Sequence, residues 1–366
     1  MLSAINKFKH LGYIGLVALL FVLSCRKDKS NDMQPTPYVL EIPAHFPQMP
    51  IPADNPLTVE GVELGRHLFY DKILSRDNTV SCASCHHQVN AFSDPNIVSV
   101  GIDGLTGTRQ SMALINMGWQ QFFFWDGRVS ILEEQIFHPV LDPLEMDNTW
   151  AQVETRLRQH HKYPEMFFEA FGEVGVDSMK ASKAIAQFIR TMVSAESKFD
   201  LIYKFANGIQ LTANETFLFQ QITPEELAGY DLFMSLNGAD CMHCHNGPLM
   251  QVQIYSNNGL DATFSDPGRM NVTNNPNDNG RFKVPTLRNI GYSAPYMHDG
   301  RFATLDEVIN HYSHGLVWSS TVDTNMEFVS LGGVQMTEEE KSYLLAFLLT
   351  LNDPNFINNP KFSNPH

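Results

Sequence analysis

The sequence predicts a mainly α-helical, loop-rich fold built from two similar domains, and three observations predict it. Apolar residues recur at a helical period behind strong N-terminal caps. The stretches between those segments carry turn residues and few strand signals. One local unit, a helix followed by a loop and Cys-x-x-Cys-His, occurs twice, ending in Cys82-Ala83-Ser84-Cys85-His86 and in Cys241-Met242-His243-Cys244-His245.

Residues 1–25 read as an export leader, with Lys7 and Lys9 ahead of an apolar run over 11–23 too short for a membrane span. It ends in Val22-Leu23-Ser24-Cys25, which is similar to the lipobox of bacterial lipoproteins and makes Cys25 the expected lipidated residue. An ordinary leader with a stray cysteine is the alternative. Residues 26–57 are polar and then proline-rich, so they predict an extended tether that cannot sustain a helix.

The first domain is expected over 58–205. Thr58 opens a helix with Val62, Leu64, Leu68 and Phe69 on or near one face. A helical stretch over 178–205, carrying Ile185, Phe188, Ile189 and Met192, closes the domain. The second domain is expected over 206–351. There Thr223 is an N-cap, Pro224 sits at the first helical position and Glu226 completes a capping box. Gly65-Arg66-His67-Leu68-Phe69 and Gly229-Tyr230-Asp231-Leu232-Phe233 share a Gly-x-x-Leu-Phe frame, which reads as an internal duplication. Thr337, with Glu340 as its partner, caps a last helix in which Tyr343, Leu344, Phe347 and Leu348 are expected to face inward. Residues 352–366 read as a C-terminal tail.

Cys-x-x-Cys-His is the attachment signature of c-type haem. The two thiols, here Cys82 and Cys85 or Cys241 and Cys244, form thioethers to one porphyrin, and the next residue, His86 or His245, is held at the iron. A zinc site would want both pairs in one small module, and a thioredoxin-like pair has no need of histidine. Four of the five cysteines fall inside the motifs. Two cytochrome c-like domains, each with one covalent haem, follow. Export suits this reading, because c-type haem is attached outside the cytoplasm in bacteria. The expected location is the periplasmic side of the envelope, with a lipid tether to the membrane. The net charge of −15 is thinly spread; it argues against nucleic acid and suits a basic or neutral redox partner.

The residues around both motifs resemble the bacterial dihaem cytochrome c peroxidase family, which includes the MauG-like enzymes. The likeness runs from about Leu57 to Leu351. It rests on Leu64-Gly65-Arg66-His67-Leu68-Phe69-Tyr70-Asp71, Phe124-Trp125-Asp126-Gly127-Arg128, Glu145-Met146, Pro285-Thr286-Leu287-Arg288-Asn289 and Ala294-Pro295-Tyr296-Met297-His298-Asp299-Gly300. The resemblance implies that His86 holds the haem where peroxide reacts and His245 the haem that receives electrons. The family's distal pocket has a Gln, a Pro and a Glu at fixed distances after its Trp-Asp-Gly-Arg; counting along this chain gives Gln135, Pro139 and Glu145. Trp125 is implied as an electron relay between the haems. Calcium is implied between the domains, at the positions of Gln110, Ser293 and Pro295.

Two features depart from the commonest family pattern. Many members carry a histidine after the first motif that blocks the peroxide-reacting iron; the corresponding 98–109 loop has none. An iron open without prior reduction is therefore expected. The second iron's distal ligand is usually a methionine, but the matching count reaches Tyr312, as in MauG-like members, with Met297 and His311 as rivals. A tyrosinate ligand lowers the potential relative to methionine.

These readings lead to a peroxidase that reduces hydrogen peroxide to water with electrons from a small cytochrome c or cupredoxin. A MauG-like oxidase of a protein substrate, working through high-valent haem, is the first alternative. A non-enzymatic dihaem electron-transfer protein is the second. A homodimer is left open.

Overall fold

The computed structural model describes residues 34–366. The leader and Cys25 lie outside the described residues. Eight helices of nine or more residues carry the described fold: α1 (Val59–Tyr70), α2 (Trp150–Gln159), α3 (Tyr163–Phe171), α4 (Ser178–Arg190), α5 (Lys198–Ala206), α6 (Pro224–Met234), α7 (Leu305–His314) and α8 (Glu338–Leu349). The only sheet among the described residues is an antiparallel pair, β1 (Tyr255–Ser256) and β2 (Phe282–Lys283), in which Tyr255 faces Lys283. Among the described residues no helix is long and apolar enough to cross a membrane.

The predicted caps form. Thr58 accepts a hydrogen bond from Gly61 N at 3.0 Å, and Thr223 and Thr337 form full capping boxes with Glu226 and Glu340. Helix α1 then packs on α4 so closely that a Cβ at Gly65 would lie 1.9 Å from Ala184 O. Helix α6 packs on α8 with the same intimacy: a Cβ at Gly229 would lie 1.9 Å from Tyr343 O. In each Gly-x-x-Leu-Phe frame the glycine therefore lets two helix backbones touch. Leu64, Leu68, Phe69, Ile185 and Phe188 fill the first core; Phe233, Leu344, Phe347 and Leu348 fill the second. Tyr343 differs from its expected inward face. Its backbone meets Gly229, and its hydroxyl donates to Glu339 on the solvent side at 2.6 Å.

The helix expected over 178–205 is two helices. Residues 191–197 break it because the backbone there finds long-range partners. Asp353 Oδ2 accepts from Ala195 N and Glu196 N, both at 3.1 Å, while Asn116 accepts from Ser194 N at 2.9 Å and donates to Ser194 O at 3.1 Å. The segment expected as a tether is extended, yet its described part is not a free spacer. Phe46 and Met49 are buried against Trp119 and Ala195, and Trp119 Nε1 donates to Pro47 O at 2.9 Å. The tail also docks. Phe356 and Phe362 are buried in the first core beside Phe92, and Tyr70 Oη donates to Phe362 O at 2.6 Å.

A buried polar cluster ties the segments together. Arg288 donates to both oxygens of Asp200, at 2.7 and 2.9 Å, and His45 Nε2 lies 2.8 Å from the same carboxylate. Burial works to raise the Asp200 pKa, but Arg288 and the hydrogen bonds from His45 and Ser197 outweigh it and hold the carboxyl well below its usual range.

Candidate dihaem site

Each Cys-x-x-Cys-His motif winds as one short 3₁₀ turn, Cys82–Ser84 and Cys241–His243. Each closes with the histidine N–H donating to the first cysteine carbonyl, at 3.0 Å in both copies. The winding brings all four thiols and both imidazoles to one continuous cavity of about 1040 Å³. The upper end of ordinary small-molecule pockets is about 1,000 Å³. The thiols are unbridged. Burial pushes Cys82 and Cys241 up to about 12 and Cys85 and Cys244 up to about 11, so none is a reactive thiolate.

The imidazoles suit iron. Burial pushes the His245 ring down to about 4 and lowers His86 as well, which keeps both neutral, the ligating form. His86 Nδ1 lies 2.8 Å from Phe92 O, a bond that fixes the tautomer and leaves Nε2 for the metal. Thiol pairs, neutral imidazoles and an apolar cavity shared by both motifs fit two haems.

The cavity also gathers most residues counted out from the sequence. Trp125, Gln135, Pro139 and Glu145 line it, as do Met297, Tyr312, Gln110, Ser293 and Pro295. His311 does not line it; its Nε2 lies 3.1 Å from Asn258 O. Glu145 is held by its backbone, which donates to Asp142 O at 3.0 Å and accepts from Ile102 N at 2.9 Å. Its carboxyl is raised to about 7, chiefly by burial and then by Asp142, with Arg128 opposing. Gln135 Oε1 is buried and has no hydrogen-bond partner. The 98–109 loop packs against Glu145 through Gly101, whose Cβ would lie 2.0 Å from Leu144 O. The loop residues facing the cavity include Ser99, Gly101, Gly107 and Thr108 and no histidine.

Trp125 is pinned from both sides. Its Nε1 donates to Gln110 O at 2.8 Å, and its carbonyl accepts from Lys283 N at 2.7 Å. Gln110 also donates through Nε2 to Asp94 O at 3.1 Å. Burial pushes the Tyr312 phenol up to about 12, and a hydrogen bond from Asn258 opposes the rise. Among the described residues no cluster of three or more His, Cys, Asp or Glu is set to hold a metal ion. A calcium site at Gln110, Ser293 and Pro295 would rest on neutral oxygens alone.

Sequence reasoning missed three participants. Arg109 bridges Asp126 at 2.6 Å and Asp266 at 2.7 Å, joining the loop to the stretches that follow each haem motif. Lys283 is buried in the cavity wall, and burial pushes its ammonium down to about 8. Asn258 lies in the turn run Ser256-Asn257-Asn258-Gly259, where nothing in the composition marks its side chain as special.

A mainly helical scaffold that turns two haem-attachment motifs into one shared cavity defines a dihaem c-type redox protein. The chain belongs to the di-haem cytochrome c peroxidase family, which it matches over residues 59–207. It is 34% identical to cytochrome c551 peroxidase of Nitrosomonas europaea over 312 residues, 84% of either chain. It is also 34% identical to the methylamine utilization protein MauG of Methylorubrum extorquens over 306 residues, 83% of this chain and 81% of that one. Among solved structures, a MauG-like protein associated with microbial copper homeostasis superposes with a TM-score of 0.79 at 31% identity, covering 90% of this chain and 99% of the other. Family membership implies two c-type haems. Peroxidases and MauG proteins both stand among the relatives at similar identity.

Proposed function

We propose that this protein reduces hydrogen peroxide to water at the haem held by His86. Electrons would come from a small cytochrome c or cupredoxin by way of the haem held by His245. One observation carries the reading: Glu145, a half-buried carboxyl raised to about 7, lines the same cavity as the first motif and Gln135, whose side-chain oxygen is unpartnered. When bound, the haem supplies the iron at which the peroxide O–O bond is cleaved and electrons arrive. Glu145 takes a proton from one peroxide oxygen and returns it to the departing one. Gln135 accepts a hydrogen bond from peroxide and aligns it without competing for iron. Pro139 and Val140 keep that wall apolar. Two electrons and two protons then turn H2O2 into two waters. The missing loop histidine supports an iron open in the oxidised protein, and the pinned Trp125 supports electron relay between the haems.

One observation favours a MauG-like oxidation of a protein substrate. The Tyr312 phenol lines the cavity together with Cys241 and Cys244 of the second motif. Calcium at Gln110, Ser293 and Pro295, a lipid anchor at Cys25, a periplasmic location and an origin by duplication belong to the same proposal. The matched close approaches at Gly65 and Gly229 support the last.

Stopped-flow mixing of the oxidised holoprotein with peroxide tests both readings. Turnover with a reduced small cytochrome supports the peroxidase. A long-lived spectral species formed by peroxide alone, without turnover, supports protein oxidation. No reaction in either arm refutes both and leaves an electron-transfer protein.

A further inference from the structure

Asn258 stands between two side chains that can each ligate iron. Its Nδ2 lies 3.1 Å from Tyr312 Oη and 3.5 Å from Met297 Sδ. Both acceptors line the haem cavity. One amide nitrogen carries two hydrogens, so it can serve oxygen and sulfur together.

The Asn258 backbone is held in place. Asn258 O receives His311 Nε2 at 3.1 Å, which also removes His311 from the contest for iron. The preceding residue, Asn257, donates to Ser319 Oγ and Thr321 Oγ1, both at 3.0 Å, and accepts from Gly259 N at 3.1 Å. Met297 is held as firmly. Its backbone sits at φ +75°, in the left-handed region that an unbranched L-residue rarely adopts. Such a conformation persists only where surrounding structure over-determines it, and it clusters at functional sites. The two candidate ligands therefore share one amide on a held backbone.

Oxygen and sulfur suit different oxidation states. A phenolate is a hard, anionic donor and favours ferric iron. A thioether is soft and neutral, and it favours ferrous iron. We propose that Asn258 sets the distal ligand of the second haem: the iron takes Tyr312 oxygen when oxidised and Met297 sulfur when reduced, with the amide retaining whichever side chain is released. On reduction one electron enters from a one-electron donor, the iron–oxygen bond breaks, the phenolate takes a proton from water, and the iron–sulfur bond forms. Reoxidation reverses each step. The exchange rests on the haem at His245 and is independent of whether peroxide is the substrate. Asn258 is a positioning residue in this scheme, since it acts through the ligands.

The test uses the full-length holoprotein with both haems verified by mass spectrometry. Iron X-ray absorption of the wild type needs no substitution: an iron–sulfur scattering path should be present after dithionite reduction and absent after ferricyanide oxidation. Three variants add optical readouts. Tyr312→Phe should gain the red-edge sulfur-to-iron band in the oxidised state. Met297→Leu should leave the oxidised spectrum unchanged, turn the reduced second haem from low-spin to high-spin and move its midpoint potential negative. Asn258→Leu should give an oxidised sample in which both ligand sets are populated. A wild type with no iron–sulfur path on reduction overturns the proposal, even if every variant fails to fold. A Met297→Leu reduced spectrum identical to wild type overturns it as well.

Discussion

Replacing Glu145 by Gln separates its chemical role from its structural cost, because the two move in opposite directions. Burial raises this carboxyl from 4.5 to about 7. Only the ionised form can take a proton from peroxide. The ionised fraction is roughly one tenth at pH 6 and roughly nine tenths at pH 8, so the second-order rate of peroxide cleavage should climb about tenfold across that window. Glu145→Gln should flatten the profile and lower the plateau by about 10²- to 10⁴-fold, the range for losing one positioned acid–base group. Stability follows the reverse sign. A carboxyl whose folded pKa lies above its unfolded value resists ionisation in the folded state. The cost is absent below pH 4.5, grows between pH 4.5 and 7, and is complete above pH 7 at about 3 kcal/mol. The Gln variant should therefore match the wild type near pH 4 and exceed it in denaturation midpoint at pH 8. Stopped-flow absorbance from pH 5 to 9 reads the first effect, and urea titration at the two pH values reads the second. A variant that keeps the acid limb, or that cleaves peroxide within threefold of wild type, would refute the assignment of Glu145 as the base.

Three further substitutions and one surface control probe how the site is held. Phe362→Ala removes a ring that is 4% exposed in the first core and should cost about 3–5 kcal/mol by urea denaturation, whereas Val174→Ala, at 89% exposure, should stay within about 0.5 kcal/mol. Gly65→Ala would drive a methyl into Ala184 O at the α1–α4 crossing; differential scanning calorimetry should show a lower melting temperature, for an overpacking cost of at least about 1–3 kcal/mol. Arg190→Met strands Glu133, which now receives two Arg190 bonds at 2.6 and 2.9 Å and one from Asn55. The loss should be about 3–5 kcal/mol at pH 7 and should shrink as acid protonates the orphaned carboxyl.

The sequence was most legible where chemistry is local. Thr58, Thr223 and Thr337 cap their helices because a side-chain oxygen and an N–H three residues on need no distant partner. The two haem motifs are local for the same reason, and Gln135, Pro139 and Glu145, counted from Trp125, are among the residues that line the cavity. Legibility failed where a distant residue decides. The break at 191–197 depends on Asp353 and Asn116, neither of which a helical period can see. The 34–57 segment looked like a spacer because its prolines dominate, yet Phe46 and Met49 find Trp119 only in three dimensions. The tail's phenylalanines look ordinary until Phe92, beside the first motif, turns out to be their partner.

The Trp-Asp-Gly-Arg run shows how a family signature becomes a physical requirement. Trp125 spends its indole N–H on Gln110 and its carbonyl on Lys283, so one residue is clamped by the stretches after both motifs. Asp126 receives Arg109 and Arg128, while Arg109 reaches on to Asp266 beyond the second motif. Gly127 lies at φ +65°, and a Cβ there would sit 1.9 Å from Tyr255 Oη on β1. Arg269 donates to the carbonyls of Asp126 and Gly127 at 2.9 and 2.8 Å and packs over the Tyr255 ring. Arg128 lies over Phe124, and both line the cavity. Trp125, Asp126 and Gly127 therefore each tie the stretch after the first motif to the stretch after the second. A relay between haems needs that fixity, because electron transfer is acutely sensitive to donor–acceptor distance. Loosening Asp126 should then slow haem-to-haem equilibration while leaving both covalent haems in place.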